Sequence, residues 1–275
     1  MMFDFQKGDL VLSGSLAHAC IRSFARLVIL LCCVPHASAQ STDGPHKASG
    51  CPHPQFSIVL DVGHTAEAGG ATSARGAAEF SFNLNLAKRI ESALAKAGIG
   101  NTYLLIMRGR GHETLVERSN RANRLKPSLF LSIHHDAVQD RHLQKWTYQD
   151  RVRDFSDKFA GYSIFVSNEN SQAGLSLEAA RHLGDELRAR GLVFTRHHAE
   201  DIRGERRQLI DERRGIYRFD HLAVLRNTRA PAVLLEAGVI VNREEELLLA
   251  STGHQDKISS AVAAGVVKFC NTERH

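Results

Sequence analysis

Apolar positions along this chain change period several times, and each change marks an element. Phe56 to Val62 is a short apolar run ending in Gly63-His64, which predicts a buried strand that stops in a tight turn. A loop rich in Gly, Ala and Thr follows from Thr65 to Gly76. Leu86, Ile90, Leu94 and Ala97 then fall on one helical face, and Gly98 supplies the stop. Tyr103 to Met107 reads as a second strand. Thr114-x-x-Glu117 is a capping box that opens a helix closed by Pro127. Ser128 to Ile133 is a third buried strand, ending in His134-His135. Val138 to Ala160 is polar and crowded with charge, holds the only Trp (Trp146), and predicts an excursion over the surface. Tyr162 to Ser167 is a fourth strand; Leu175, Ala179, Leu183 and Leu187 form a helical face before Gly191. His197 to Gly215 is Arg-rich but balanced by acids, and reads as a solvated loop; Leu222 to Leu225 is a short apolar segment. Pro231 to Leu235 is another buried strand, ending in Glu236. Asn242-x-x-Glu245 caps a short helix, and Ile258, Val262, Val266 and Phe269 face one way in a last one.

Strands thus alternate with helices, and most of the strands are uniformly apolar. The pattern predicts one α/β domain, over residues 55–271, with a mainly parallel, twisted β-sheet covered by helices on both faces.

The first forty residues read differently. Leu27 to Val34 is strongly apolar but shorter than the ~20 residues needed to span a bilayer. Arg22 and Arg26 precede it and Ala37-Ser-Ala39 follows. That is the build of a signal peptide over 1–39 with cleavage after Ala39, its true start lying downstream of Met1. No Gly or Ala directly precedes Cys32 or Cys33, which argues against a lipid anchor, and no other apolar stretch is long enough to cross a membrane. The expected product is secreted into the periplasm. Residues 40–54, rich in Ser, Gly, Pro and His, read as a linker. Of five cysteines only Cys51 and Cys270 remain after cleavage. An oxidising compartment permits a disulfide between them, and two separate thiols is the competing reading. With no CxxC and no Cys cluster, a thiolate zinc site is excluded.

Composition adds little beyond this. A net charge of +5 suits an acidic polymer as partner or simply keeps the protein soluble. With 7% aromatic residues and a charge-balanced Arg-rich segment, the chain lacks the platforms or basic stripe of a nucleic-acid binder. No repeat period is present.

The candidate chemistry sits at strand ends. His64, His134 and Glu236 each follow a buried strand, and parallel strands present their carboxyl ends along one rim of the sheet. Glu79, at the start of the first long helix, begins on that same rim. Two imidazoles and a carboxylate are a zinc set when the fourth position is kept for water, and a second carboxylate beside them can take a proton. The competing reading is a set of hydrogen-bonded strand-end residues. His135 rivals His134, since adjacent strand residues point in different directions.

Four blocks carry a resemblance: LDVGH (60–64), ARGAAEFSFNLNLAKRI (74–90), LFLSIHHDA (129–137) and PAVLLEAGVIVNREEE (231–246). Together with Leu104-Leu-Ile-Met-Arg108 and Leu115-x-x-Arg118-x-x-x-Ala122-Asn123, they resemble the zinc-dependent N-acetylmuramoyl-L-alanine amidases of bacterial cell-wall metabolism, in family order from about Ser57 to Phe269. The resemblance implies Zn2+ held by His64, Glu79 and His134, with Glu236 as the catalytic residue. It also implies peptidoglycan as substrate: Glu236 takes a proton from metal-activated water attacking the lactyl carbonyl and returns it to the departing L-alanine amine. His135 occupies a position often small in the family and is expected to be exposed. Some members carry a helix that plugs the site until an activator removes it. None is visible between Ser167 and Pro231, so an enzyme active without an activator is expected. Two alternatives stay open: a zinc peptidase or carboxypeptidase cutting within the stem peptide, and an inactive wall-binding regulator. His112, His197, His198 and His221 read as surface or structural residues.

Overall fold

The computed structural model describes residues 50–272 other than 52, 111 and 112. The signal peptide assigned to 1–39, most of the linker and His112 lie outside the described residues. The elements in chain order are β1 (Ile58–Thr65), α1 (Glu79–Lys96), β2 (Thr102–Met107), α2 (Glu113–Leu125), β3 (Leu129–Asp136), β4 (Gln144–Tyr148), β5 (Arg151–Phe155) and β6 (Ser163–Val166). They continue with α3 (Ala173–Ala189), β7 (Gln208–Asp211), β8 (Ile216–Arg218), α4 (Ala223–Asn227), β9 (Ala232–Val239), α5 (Arg243–Ala250) and α6 (Thr252–Thr272).

Seven strands form one sheet in the order β2-β1-β3-β9-β6-β8-β7. The run β2-β1-β3-β9 is parallel throughout, β6 runs antiparallel to β9, and β7 antiparallel to β8. The expected mainly parallel sheet is therefore present, with an antiparallel step on one side. Alternation along the strands assigns the two faces. Ile58, Leu60 and Val62 of β1, with Leu129, Leu131 and Ile133 of β3, pack under Leu86 and Ile90 of α1, Leu183 of α3 and Val262 of α6. Val59, Phe130 and Leu234 point the other way, against Ala122 of α2 and Val224 and Leu225 of α4. Both faces are covered, so strands with no polar alternation are what burial requires.

Of the two predicted helix caps one holds. Helix α2 begins at Glu113, so Thr114 lies inside the helix and is not its cap. Asn242 caps α5, its side chain accepting from the backbone N–H groups of Glu244 and Glu245. Two segments are more ordered than their polarity suggested. Val138 to Ala160 contains the antiparallel ribbon β4–β5, closed by a two-residue turn in which Gln149 and Asp150 both have positive φ (48° and 57°), the combination that matches strand twist. Its Trp146 donates from Nε1 to the Ala74 carbonyl at 3.0 Å and stacks under the Arg75 guanidinium, so the ribbon fastens the loop between β1 and α1. The Arg-rich stretch supplies the edge strands β7 and β8, and Tyr217 of β8 is fully buried. Its charges are spent locally, as where Arg214 forks onto Asp185 at 2.8 and 2.9 Å.

The end of the predicted linker is tied down as well. Cys51 and Cys270 form a disulfide, with Cα atoms 5.6 Å apart and a sequence separation of 219. Cross-linking residues so far apart removes loop-closure entropy from the unfolded chain. Reduction is expected to lower the unfolding free energy by about 2–5 kcal/mol, read from denaturant curves with and without dithiothreitol. Coincident curves would mean that the bridge does not constrain the unfolded state.

Candidate metal and catalytic site

The site begins with a distortion in β1. Its register with β2 runs regularly from Ile58↔Thr102 to Asp61↔Leu105, then shifts before Thr65↔Met107. Within the shift His64 adopts φ 63°, a left-handed conformation that costs a non-glycine residue about 1–2 kcal/mol. Arg118 of α2 compensates. Its side chain is 2% exposed; Nη1 donates to Asp61 Oδ1 and, at 2.6 Å, to the Val62 carbonyl, while Nη2 donates to the His64 carbonyl. Ser132 of β3 donates to Asp61 Oδ2 at 2.7 Å. The carbonyls released by the shift are thereby satisfied, and His64 is turned toward α1.

Glu79, the first residue of α1, receives the imidazoles. His64 Nε2 lies 2.9 Å from Glu79 Oε2, and His134 Nδ1 lies 3.0 Å from Oε1. The backbone of Ala71 (3.1 Å), the Asn83 amide (3.0 Å) and the backbone of His135 (3.3 Å) also donate to this carboxylate. Burial would raise its pKa. The hydrogen bonds from His134 and His64 outweigh that and hold it well below the usual range, so Glu79 is an anion at the positive end of a helix. One donor atom from each of His64, Glu79 and His134 lies within 4.8 Å of the others. Two glycines keep the space open: a Cβ on Gly63 would lie 2.4 Å from His134 Nε2, and one on Gly70 2.4 Å from Glu79 Oε2. Two imidazoles, a carboxylate and a cradle that any side chain would fill are a donor set suited to Zn2+.

Glu236 lies beside His134 in the β3–β9 register. Its Oε2 is buried without a hydrogen-bond partner among the described residues. Burial, with the nearby charges of Asp136 and Glu79, raises its pKa well above the ordinary carboxyl value. A carboxyl of this kind takes and returns a proton readily. His64, His134 and Glu236 line a cleft of about 550 Å³, together with residues that include Phe219 and Leu222. The four residues expected to converge do so.

His135 departs from expectation. The strand does not stop at His134 but continues to Asp136, so alternation sends His135 to the opposite face, where it is 2% exposed. It packs on Phe82, and its Nδ1 lies 2.8 Å from Asn83 Oδ1. It is a buried structural residue, not an exposed one. His221 is exposed, as expected. His197 and His198 are buried, and His198 lines the cleft together with Asp136. Asp61, Arg118 and Asp136 lie in the segments that carry the resemblance, but the sequence assigns none of them a role. The available signal was a lone Asp inside the apolar run Phe56–Val62, since a charge in a buried strand requires a partner.

Fold and trio together define a class: α/β domains that gather two imidazoles and a carboxylate at the carboxyl rim of the sheet. Residues 58–268 match the N-acetylmuramoyl-L-alanine amidase family. The chain belongs to that family, whose members are hydrolases acting on an amide bond. It is 25% identical over 235 residues to N-acetylmuramoyl-L-alanine amidase AmiA of Escherichia coli, covering 77% of this chain and 75% of that protein. It is 27% identical over 224 residues to the germination-specific N-acetylmuramoyl-L-alanine amidase of Bacillus subtilis, covering 77% and 78%. Among solved structures, the amidase Ami1 of Mycobacterium smegmatis superposes with TM-score 0.60 at 22% identity, over 80% of this chain and 98% of that one. The CwlD amidase of Clostridioides difficile, solved in complex with the GerS lipoprotein, gives 0.57 at 19%, over 79% and 100%. These two likenesses speak to the fold.

Two outcomes are expected. Arg118→Met leaves Asp61 buried and unpaired and is expected to cost about 3–5 kcal/mol of unfolding free energy in urea; a loss below about 1 kcal/mol would mean that the pair does not hold β1. His135, pushed down to about 3 by burial, stays neutral when the unfolded chain takes up a proton below about pH 6.5. With the folded value depressed, stability falls as pH drops through this window. Between about pH 6 and 4, wild type is expected to lose about 1.4 kcal/mol per pH unit more than His135→Gln. Parallel pH profiles for the two proteins would refute the assignment.

Proposed function

We propose that this chain hydrolyses the amide between the lactyl group of N-acetylmuramic acid and L-alanine in peptidoglycan, with Zn2+ held by His64, Glu79 and His134 and with Glu236 as the proton carrier. The observation that carries the reading is the pairing of that trio with a buried, unpartnered carboxyl in one cleft. Zn2+, when bound, polarises an amide carbonyl and acidifies water at neutral pH. The chain's own residues supply the remainder. Glu79, fixed by three donors besides the imidazoles, orients His64 and His134 toward one point. Glu236 Oε2 accepts a proton from attacking water and delivers it to the leaving amine, a transfer that its raised pKa favours. Leu222, Phe219 and Phe165 give the same cleft an apolar part of its lining.

In this reading residues 1–39 direct export to the periplasm, 40–54 form a linker, and 55–271 are the catalytic domain. Among the described residues no helix is long and apolar enough to cross a membrane. Activity without an activator remains part of the proposal. The long helix between Ser167 and Pro231 is α3, which packs on α6, β6 and β9 and contributes no residue to the cleft.

The test is digestion of purified peptidoglycan by the chain from Gln40 onward, with identification of the newly exposed amine. Release of N-terminal L-alanine is expected without any added protein, abolished by chelator and restored by Zn2+. Glu236→Gln is expected to lower kcat by about 10²–10⁴-fold. Exposure of a different amine would shift the reading to a peptidase, and activity that survives exhaustive chelation would remove the metal from it.

A further inference from the structure

A second group of donors converges on the same cleft and shares no residue with the first. Asp136, His197 and His198 each offer one ligand atom, and these atoms lie within 4.8 Å of one another. Asp136 Oδ2 is the focus, 2.7 Å from His198 Nε2 and 3.3 Å from His197 Nε2. All three residues are buried, His197 to 1% exposure.

The other atoms of the trio are already engaged. His198 Nδ1 lies 3.0 Å from Glu205 Oε2, and Glu205 Oε1 accepts from Gln139 at 2.8 Å. His197 Nδ1 lies 2.9 Å from Thr195 Oγ1. The backbone of Ala137 donates to Asp136 Oδ1 at 2.8 Å. Metal-ligating histidines characteristically give their second nitrogen to a carboxylate or other oxygen, which fixes the tautomer and turns the lone pair of the first nitrogen inward.

That arrangement leaves one buried atom that hydrogen bonding does not satisfy. His198 Nδ1 donates to the Glu205 carboxylate, and in the tautomer where His197 Nδ1 donates to Thr195 Oγ1 both Nε2 lone pairs are left facing the Asp136 carboxylate. A proton on His198 pairs it with Asp136. His197 Nε2 stays buried and without a hydrogen-bond partner, 3.3 Å from the same oxygen. One divalent cation satisfies all three atoms at once. Two imidazoles favour a borderline ion of the zinc class over Mg2+ or Ca2+, which prefer oxygen donors.

We propose that Asp136, His197 and His198 bind a second divalent transition-metal ion, distinct from any held by His64, Glu79 and His134. Asp136 and His198 line the cleft, so solvent or a substrate oxygen completes the coordination from that side. The inference goes beyond the proposed amidase chemistry and does not rest on it.

The test is metal counting. Apoprotein is saturated with Zn2+, desalted and quantified by mass spectrometry, with Co2+ substitution giving the ligand-field spectrum of each site. Wild type is expected to hold two equivalents. His197→Ala and the near-isosteric Asp136→Asn are each expected to hold one, His64→Ala one, and the His64→Ala/His197→Ala double variant none. The equivalent kept by His197→Ala, at the first site, also reports that the variant is folded. Wild type with a single equivalent that only His64→Ala removes would overturn the second site, as would two equivalents unchanged by both His197→Ala and Asp136→Asn. A single equivalent lost in His197→Ala and retained in His64→Ala would support this site and remove the preceding metal assignment.

Discussion

The structure depends on how β1 ends. A buried parallel strand has its backbone groups paired on both sides, and an interruption before its last residue leaves carbonyls with no partner in the ladder. Here the interruption falls between Asp61 and Thr65, and it is what turns His64 out of the sheet. One guanidinium covers the deficit: Arg118 bonds the carbonyls of Val62 and His64 and neutralises Asp61. Arg suits this place because its donors form a rigid fork that addresses carboxylate and carbonyl together, whereas a lysine presents a single point charge. The hydrophobic core of that face would be tighter without two buried charges. What they add is a fixed backbone in a conformation that L residues avoid.

Glu79 extends the same constraint across the cleft. As the first residue of α1 it stands at a positive helix terminus, and α1 itself is held by apolar contacts to β1 and β3. Its carboxylate therefore has little freedom, and both imidazoles take their orientation from it. Asn83, one turn further along α1, links the two faces of the sheet: its amide reaches Glu79 Oε1 and the Gly63 carbonyl, and its Oδ1 meets the buried His135. A residue that looks spare in the sequence thus carries the packing of one face into the geometry of the other.

Much of the frame was legible because burial on both faces writes itself as uniform apolar runs. The places of His64, His134 and Glu236 near the carboxyl ends of β1, β3 and β9 were readable for that reason, as was the helix start at Glu79, and the parallel topology did the rest. Each of the three strands runs one to three residues past the residue at which the sequence ended it. Less legible was anything decided by polar partners distant in sequence. The pairing of Asp61 with Arg118 spans 57 positions and leaves no periodic trace. His135 was misjudged because the strand continues past His134, and alternation then sends the next side chain to the α1 face. The Arg-rich segment was read from its composition as solvated, yet its acids neutralise its arginines within the fold. That frees its apolar residues to form an edge of the sheet, and it delivers His198 to the cleft with His197 buried beside it.

Period-two geometry explains why β3 serves two clusters. His134 and Asp136 lie two apart and line the same cleft, while His135 between them is buried on the opposite side. A strand that presents one donor to a site therefore offers a second position beside it with no change of backbone. Occupying that position with an acid is costly unless something meets the charge. In this chain the partners come from the segment just after α3, where adjacent histidines, ring centroids 3.9 Å apart, place their Nε2 atoms 3.3 and 2.7 Å from one oxygen. Burial raises the Glu236 pKa first, and the charges of Asp136 and Glu79 raise it further. The proton affinity of Glu236 therefore depends in part on both clusters, so a change of charge at either one alters the group best placed to move a proton.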